Sequence, residues 1–149
     1  MKNNFRLYES SDYAVLEAMI LGLYNEMKGE PMSVAKIANT VRKLTEEKNR
    51  GCIYIFESQE NVIGYGILIY FWSNEFGGDI LNIDELFVKK EHRRQGVAKD
   101  FFHFLSEEFQ DKVVAFALET TKENQIAYQF YRNLGFQDYR NTVLFKQVD

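Results

Sequence analysis

The chain has 149 residues, with 18 Lys and Arg against 22 Asp and Glu, a net charge of -4, and a single cysteine. That length suits one domain with a proper buried core, expected here over residues 1–149. The acidic balance excludes an overall basic field for nucleic acid, the lone Cys52 excludes an internal disulfide, and no apolar run is long enough to span a membrane.

The opening stretch MKNNFRLYESSD lacks the apolar core of a signal peptide, so a cytoplasmic location is the default expectation. Phe5 to Tyr8 reads as a first strand, and Ser10, Ser11 and Asp12 offer an N-cap. Leu16, Ile20, Leu23 and Met27 recur at helical spacing, and Lys28-Gly29-Glu30-Pro31 breaks that helix. Ser33 caps a second helix with Val34, Ile37, Ala38, Val41 and Leu44 on its apolar face. Cys52 to Phe56 and Val62 to Tyr70 form a hairpin around a polar turn. Gly64 and Gly66 mark a bend or a close approach in the second strand. Phe71 to Asp79 reads as an aromatic, acidic, glycine-containing loop. It is either a structural loop around a packed Trp72 or a wall of a substrate pocket that includes Trp72, Glu75 and Asp79. The 15% aromatic content fits an aromatic core, a pocket lining or a subunit interface, and so permits a homodimer.

Ile80 to Val88 reads as the central strand. The basic turn KKEHRRQG follows, then a helix from Val97 to Phe109 that buries Val97, Phe101, Phe104 and Leu105. Val113 to Glu119 is a further strand. A helix with Ile126, Ala127, Phe130 and Tyr131 ends at Gly135, and Phe136 to Tyr139 and Thr142 to Lys146 alternate as a closing hairpin. The order β-α-α-β-β-β-α-β-α-β-β gives an α+β domain with a mixed sheet flanked by helices. His92 and His103 have no ligand-spaced neighbours, so no metal is expected.

A helix that starts after Gly96 turns several unpartnered backbone N–H groups toward whatever lies above the turn. The helix dipole, Arg93 and Arg94 add positive charge there, and glycine allows close approach, which suits a phosphate or pyrophosphate. Arg93-Arg94-Gln95-Gly96-Val97-Ala98 fits Arg/Gln-x-x-Gly-x-Gly/Ala. Asn124 precedes Ala127-x-x-Phe130-Tyr131-x-x-x-Gly135-Phe136. These two motifs, in this order, resemble those of the GCN5-related N-acetyltransferase (GNAT) family.

The resemblance implies acetyl-CoA as co-substrate. It implies that the pantetheine arm pairs with Leu86 and Val88, with Phe87 between them. The pyrophosphate would rest on the N–H groups of Arg94, Gln95, Gly96, Val97 and Ala98, with Arg93 nearby. Asn124 matches a side chain that contacts the pantetheine. Tyr131 matches a tyrosine near the cofactor sulfur and is the candidate acid for the departing thiolate.

An amine must lose its proton before it attacks a thioester, and a carboxylate can remove it. Asp84 and Glu85 are the candidate bases. Strand neighbours face opposite sides, so only one looks into the site unless a bulge intervenes. The alternative is a structural ion pair. Ile83 to Val88 resembles Leu-Glu-Asp-Phe-Phe-Val of diamine (spermidine/spermine) acetyltransferases, which aligns Asp84 with the glutamate linked to proton removal. The expected activity is acetyl transfer to the primary amine of a small cationic acceptor. The acidic Glu75, Asp79, Asp84 and Glu85 suit such a partner. The alternatives are a non-catalytic acyl-CoA-binding regulatory domain and acetylation of a protein N-terminus or lysine. Family members are often dimers.

Overall fold

The computed structural model describes residues 3–27 and 29–149. They fall into two compact units, Met1–Glu119 and Thr120–Asp149. The expected helix break includes Lys28, which lies outside the described residues, as do Met1 and Lys2 of the opening stretch.

The first unit is built on a five-stranded sheet in the order β1-β2-β3-β4-β5. Strands β1 (Asn3–Leu7), β2 (Gly51–Ser58), β3 (Asn61–Ser73) and β4 (Gly78–Val88) pair antiparallel in sequence order, and β5 (Ala115–Ala117) joins β4 in parallel. A short 3-10 turn at Ser10–Asp12 precedes α1 (Tyr13–Glu26), and α2 (Val34–Glu46) follows. The Asp12 carboxylate does not cap α1. It accepts from the Glu9 backbone at 2.8 Å and from Arg6 at 2.8 and 2.9 Å, which fixes the turn between β1 and α1. Ser33 caps α2 as expected, accepting from the Lys36 N–H at 3.2 Å.

Two side-chain layers enclose the sheet. On one face, Leu16, Met19 and Ile20 of α1 and Ile37, Val41 and Leu44 of α2 pack on Ile53, Ile55, Tyr65, Ile67 and Phe87. These positions alternate along β2 and β3, as strand geometry requires of residues that share a face. On the other face, α3 (Val97–Phe109) buries Val97, Phe101, Phe102, Leu105 and Phe109. Phe104 is only half-buried, and Phe102 takes the place expected for it.

Beneath α3 lies an aromatic cluster. Phe101 is 4.4 Å from Phe56, 5.2 Å from Phe5 and 6.0 Å from Tyr54 between ring centroids. Much of the aromatic excess is therefore core. Gly66 belongs to it: a Cβ there would sit 3.1 Å from the Phe101 ring, so glycine lets the ring lie flat on β3. Phe101→Ala removes a fully buried ring from this cluster. The expected cost is about 3–5 kcal/mol, read as a lower urea midpoint at an unchanged slope. An unchanged midpoint would place Phe101 outside the core.

Three expectations are corrected. The stretch from Phe71 to Asp79 is not a loop: β3 runs through Ser73, β4 starts at Gly78, and Trp72 pairs with Asp79 across the hairpin. Aromatic and β-branched residues fit a pleated ladder, and this run of them continues the strand. The strand after α3 is three residues long, Ala115–Ala117, rather than the expected Val113 to Glu119. The closing hairpin does not form: after α4 (Gln125–Asn133), residues 136–149 carry no regular secondary structure. Val143, Leu144 and Phe145 are exposed there, and two strands with no third strand or helix face to bury their side chains are marginal.

Candidate active site

Strand β4 carries the site, and two irregularities make it one. The parallel pairing with β5 ends at Asn82 opposite Ala117. From Ile83 to Val88, β4 therefore has no strand partner on that side among the described residues of the unit. The second irregularity is a bulge. Ile67 of β3 pairs with Glu85 and Leu68 with Ile83, so Asp84 is an extra residue in β4. The Lys89 N–H donates to the Ile63 carbonyl at 2.8 Å. Alternation along an antiparallel ladder then turns the backbone groups of Phe87 and Glu85 toward β3 and those of Leu86 and Val88 toward the open edge. Leu86 and Val88 are the two positions expected to pair with an extended ligand arm.

The bulge also changes the argument about the carboxylates. Regular alternation would put Asp84 and Glu85 on opposite faces, but Glu85 opposes Ile67 while Asp84 is the extra residue with no partner in β3, so simple alternation does not hold between them. The Glu85 carboxylate accepts from the Tyr24 hydroxyl at 2.5 Å and from the Tyr65 hydroxyl at 2.8 Å. Burial raises its pKa, and these two hydrogen bonds oppose the rise. Asp84 is exposed as a residue, yet its carboxyl is also raised, first by desolvation at the bulge and then by the nearby charge of Glu119. Among the described residues no basic group pairs with Asp84, Glu85 or Glu119. The structural ion pair considered for the two strand carboxylates is thus not formed.

Beyond β4, a 3-10 turn at Lys90–His92 leads to Gly96, which precedes α3 with φ 82°. Arg94 is also left-handed, with φ 62°. Two such residues around Gln95 fold the backbone into a concavity whose N–H groups suit an anion. The first intrahelical bond is Asp100 N–H to the Gly96 carbonyl at 2.9 Å, which leaves the N–H groups of Val97, Ala98 and Lys99 without helical partners. Nothing lies within 4 Å of where a Gly96 Cβ would stand, so the space above the turn is open.

Arg93 is not poised over this turn as expected. Its Nε donates to the Val88 carbonyl at 2.6 Å, and its Nη2 donates to both carboxylate oxygens of Glu26 at 3.2 Å. The guanidinium stands 5.4 Å from the Phe87 ring centroid. Arg93 ties the end of α1 to the end of β4, and exposed Arg94 remains as the charge of the turn. One backbone acceptor of the open edge, the Val88 carbonyl, is thereby engaged. Gln95 also folds back, its amide donating to the Glu91 carbonyl at 3.1 Å.

Trp72, Glu75 and Asp79 are not brought to the carboxylates. Asp79 precedes Glu85 by six strand positions, about 20 Å along β4 at the usual rise. In the second unit, Asn124 caps α4 by accepting from the Ala127 N–H at 3.1 Å. The Tyr131 ring contacts Phe130 at 5.3 Å and Phe136 at 6.0 Å, and burial raises its phenol. A cavity of about 770 Å³ opens elsewhere on the first unit, among Tyr8, Val41, Cys52, Tyr70 and Phe109. It lies at the C-terminal end of α3, opposite Gly96, and includes no residue of β4. Burial pushes the Cys52 thiol there up to about 11, so it is an inert thiol at neutral pH.

Residues 19–136 match the model of the acetyltransferase (GNAT) family. The chain belongs to the GNAT acetyltransferase family. Its structure resembles a possible acetyltransferase from Clostridium difficile 630 at 20% identity, covering 100% of this chain and 99% of that one, with a TM-score of 0.88. An aminoglycoside acetyltransferase from an uncultured soil metagenomic sample shows 16% identity over 98% and 95% of the two chains, with a TM-score of 0.75. The ribosomal-protein-alanine N-acetyltransferase of Brucella melitensis biovar Abortus 2308 shows 12% identity over 99% and 100%, with a TM-score of 0.78. At these identities the likeness shows the fold alone, which is the GNAT fold. Comparison with curated proteins gives no match.

GNAT enzymes use acetyl-CoA as co-substrate. The residues present fit it: an open strand edge for an extended arm, and a glycine turn with free N–H groups for a pyrophosphate. Tyr24 and Tyr65, which bond Glu85, and Glu26, which bonds Arg93, are neighbours of the candidate residues that the motifs did not single out. Tyr65 carried a signal, since a tyrosine between Gly64 and Ile67 on a buried strand face needs a partner for its hydroxyl. No described helix is long and apolar enough to cross a membrane.

Proposed function

We propose that this GNAT protein transfers the acetyl group of acetyl-CoA directly to the primary amine of a small cationic acceptor. The observation that carries the reading is the opening of β4 after Asn82, with Asp84 and Glu85 at the opening and the Gly96 turn beyond it. Acetyl-CoA supplies the activated thioester. Leu86 and Val88 present backbone groups to the pantetheine, and the N–H groups of residues 94–98 hold the pyrophosphate. Asn124 contributes through its family position.

Asp84 accepts the proton of the incoming ammonium, directly or through a water. Its raised pKa brings it closer to the working pH than an ordinary aspartate. Glu85, held by two phenols, serves as the fixed negative charge that receives the ammonium. As the C–N bond forms and the C–S bond breaks, Tyr131 donates a proton to the departing thiolate and regains one from the second proton that the new amide nitrogen sheds. Its phenol, raised by burial, stays protonated and ready at neutral pH. Carboxylates without basic partners favour a cation. The diamine-acetyltransferase likeness of Ile83 to Val88 points to an acceptor with a second amine.

The test is acetyl-CoA-dependent thiol release against a panel of monoamines, diamines, polyamines, an aminoglycoside, and peptides with free N-termini or lysines. Release with diamines or polyamines in preference to peptides is expected. Release with peptides alone would reassign the substrate to proteins. Acetyl-CoA binding without release to any amine would make the domain a non-catalytic binder.

A further inference from the structure

We propose that Tyr24, in the last turn of α1, is a positioning residue for the acceptor site: with Tyr65 it fixes the Glu85 carboxylate at the mouth of the open β4 edge. The inference rests on the acetyl-transfer reading above.

The geometry is specific. Each Glu85 oxygen has its own phenol, Tyr24 on Oε2 at 2.5 Å and Tyr65 on Oε1 at 2.8 Å. The donors come from different elements, α1 and β3, so the carboxylate is held from two directions. The Tyr24 turn is itself held, because Glu26 in the same turn bonds Arg93 at 3.2 Å and Arg93 bonds the Val88 carbonyl at 2.6 Å. The end of α1 is thus fastened to the open stretch of β4 at two points, through Tyr24 to Glu85 within it and through Glu26 and Arg93 to Val88 at its close. Phenols donate to a carboxylate and cannot neutralise it. The arrangement fixes the direction of a negative charge and leaves it charged, which suits reception of an ammonium more than removal of its proton. Asp84 has no such partners and is left with the mobile role.

The titratable groups facing Glu85 are Tyr24 from α1, Tyr65 from β3 and Asp84 from its own strand, with Glu119 acting on Asp84. The Tyr24 hydrogen bond lowers the Glu85 pKa and burial raises it. Tyr24→Phe keeps the ring and removes the bond, so the Glu85 pKa rises further. Ammonium binding needs the carboxylate ionised. The acidic limb of acceptor binding therefore moves to higher pH in the variant.

Two measurements on the full chain test this. In steady-state thiol release with the best diamine of the panel, Tyr24→Phe should raise the amine KM by about 10- to 100-fold, the usual loss for a hydrogen bond to a charged group. The acetyl-CoA KM should stay the same, kcat should change by less than about threefold, and the acidic limb of kcat/KM should move upward. By carbon-13 NMR with labelled glutamate, the Glu85 carboxyl, assigned by its loss in Glu85→Gln, should titrate at higher pH in Tyr24→Phe than in wild type. An unchanged amine KM and limb in an active enzyme would overturn the positioning role. An unchanged Glu85 titration would overturn it without any turnover being measured. Absence of thiol release from wild type with every amine would instead overturn the acetyl-transfer reading, and Tyr24 would still be judged by the titration.

Discussion

Asp84→Asn is expected to lower turnover by about 10²- to 10⁴-fold at neutral pH, the usual contribution of a positioned general base. The amide keeps the size of the side chain and removes only the charge and the basicity. Wild-type activity should rise with pH through the raised pKa of Asp84, because only the ionised carboxylate accepts a proton. The variant loses that limb, and its rate climbs toward high pH as solution supplies free amine. Stability should move the other way. A carboxyl whose pKa is raised in the folded state binds its proton more tightly there. Its contribution is present below the unfolded pKa and is lost as pH rises through the folded pKa. At neutral pH the charge is therefore a burden on the fold, and Asp84→Asn should unfold no earlier than wild type. A variant that is inactive but no less stable separates chemistry from folding. Glu85→Gln should differ: a fixed charge is lost, so the amine KM rises while the pH limb of kcat stays. If Asp84→Asn keeps the wild-type rate and profile while Glu85→Gln loses the limb, the two roles are exchanged.

The division of labour between these neighbours rests on the bulge, and the bulge shows where a sequence stops being informative. From Leu81 to Phe109 the pattern is local. An apolar strand, a glycine turn and an amphipathic helix each follow from residues a few positions apart, and the structure has them in those places. The bulge is not local. It is a mismatch in register between β3 and β4, settled by the whole pairing, and alternation within β4 alone cannot reveal it. The same holds for Glu85, whose partners lie 61 and 20 positions away in sequence. The place of Arg93 beside the glycine turn predicts a positive charge near the pyrophosphate. Its actual partners, Glu26 and the Val88 carbonyl, depend on how α1 packs over β4. The stretch from Phe71 to Asp79 misled for a different reason. Its glycines and acidic residues signal a turn, and a turn is there at residues 74–77. The aromatic residues before it belong to the strand, which carries Trp72 to the far end of the hairpin. Thr142 to Lys146 has strand alternation but no ladder, because propensity without a partner forms no sheet.

Gly96→Asp is expected to weaken acetyl-CoA binding by about 10²- to 10³-fold. At φ 82° the position is left-handed, where asparagine and aspartate are the side chains most readily accommodated after glycine. Aspartate is also a favoured residue at a helix N-terminus, and nothing stands within 4 Å of the new Cβ. The fold should therefore survive, with a thermal midpoint within a few degrees of wild type in the absence of ligand. The ligand site should not. The new carboxylate would stand among the N–H groups of Val97, Ala98 and Lys99, compete for them, and meet the pyrophosphate charge at close range. Two like charges about 5 Å apart repel by about 3 kcal/mol at an effective dielectric constant near 20, which is enough for a factor of about 10². Steric exclusion of the phosphate adds to this. Gly96→Ala serves as the comparison. It carries the backbone strain and a single methyl group without the charge, so its loss of affinity should be smaller and insensitive to salt. The aspartate variant should recover part of its affinity as salt screens the repulsion. Titration calorimetry with CoA reads both. Equal affinities for Gly96→Asp and wild type would mean that the pyrophosphate does not sit at the N-terminus of α3, and the placement of the cofactor along β4 would fall with it.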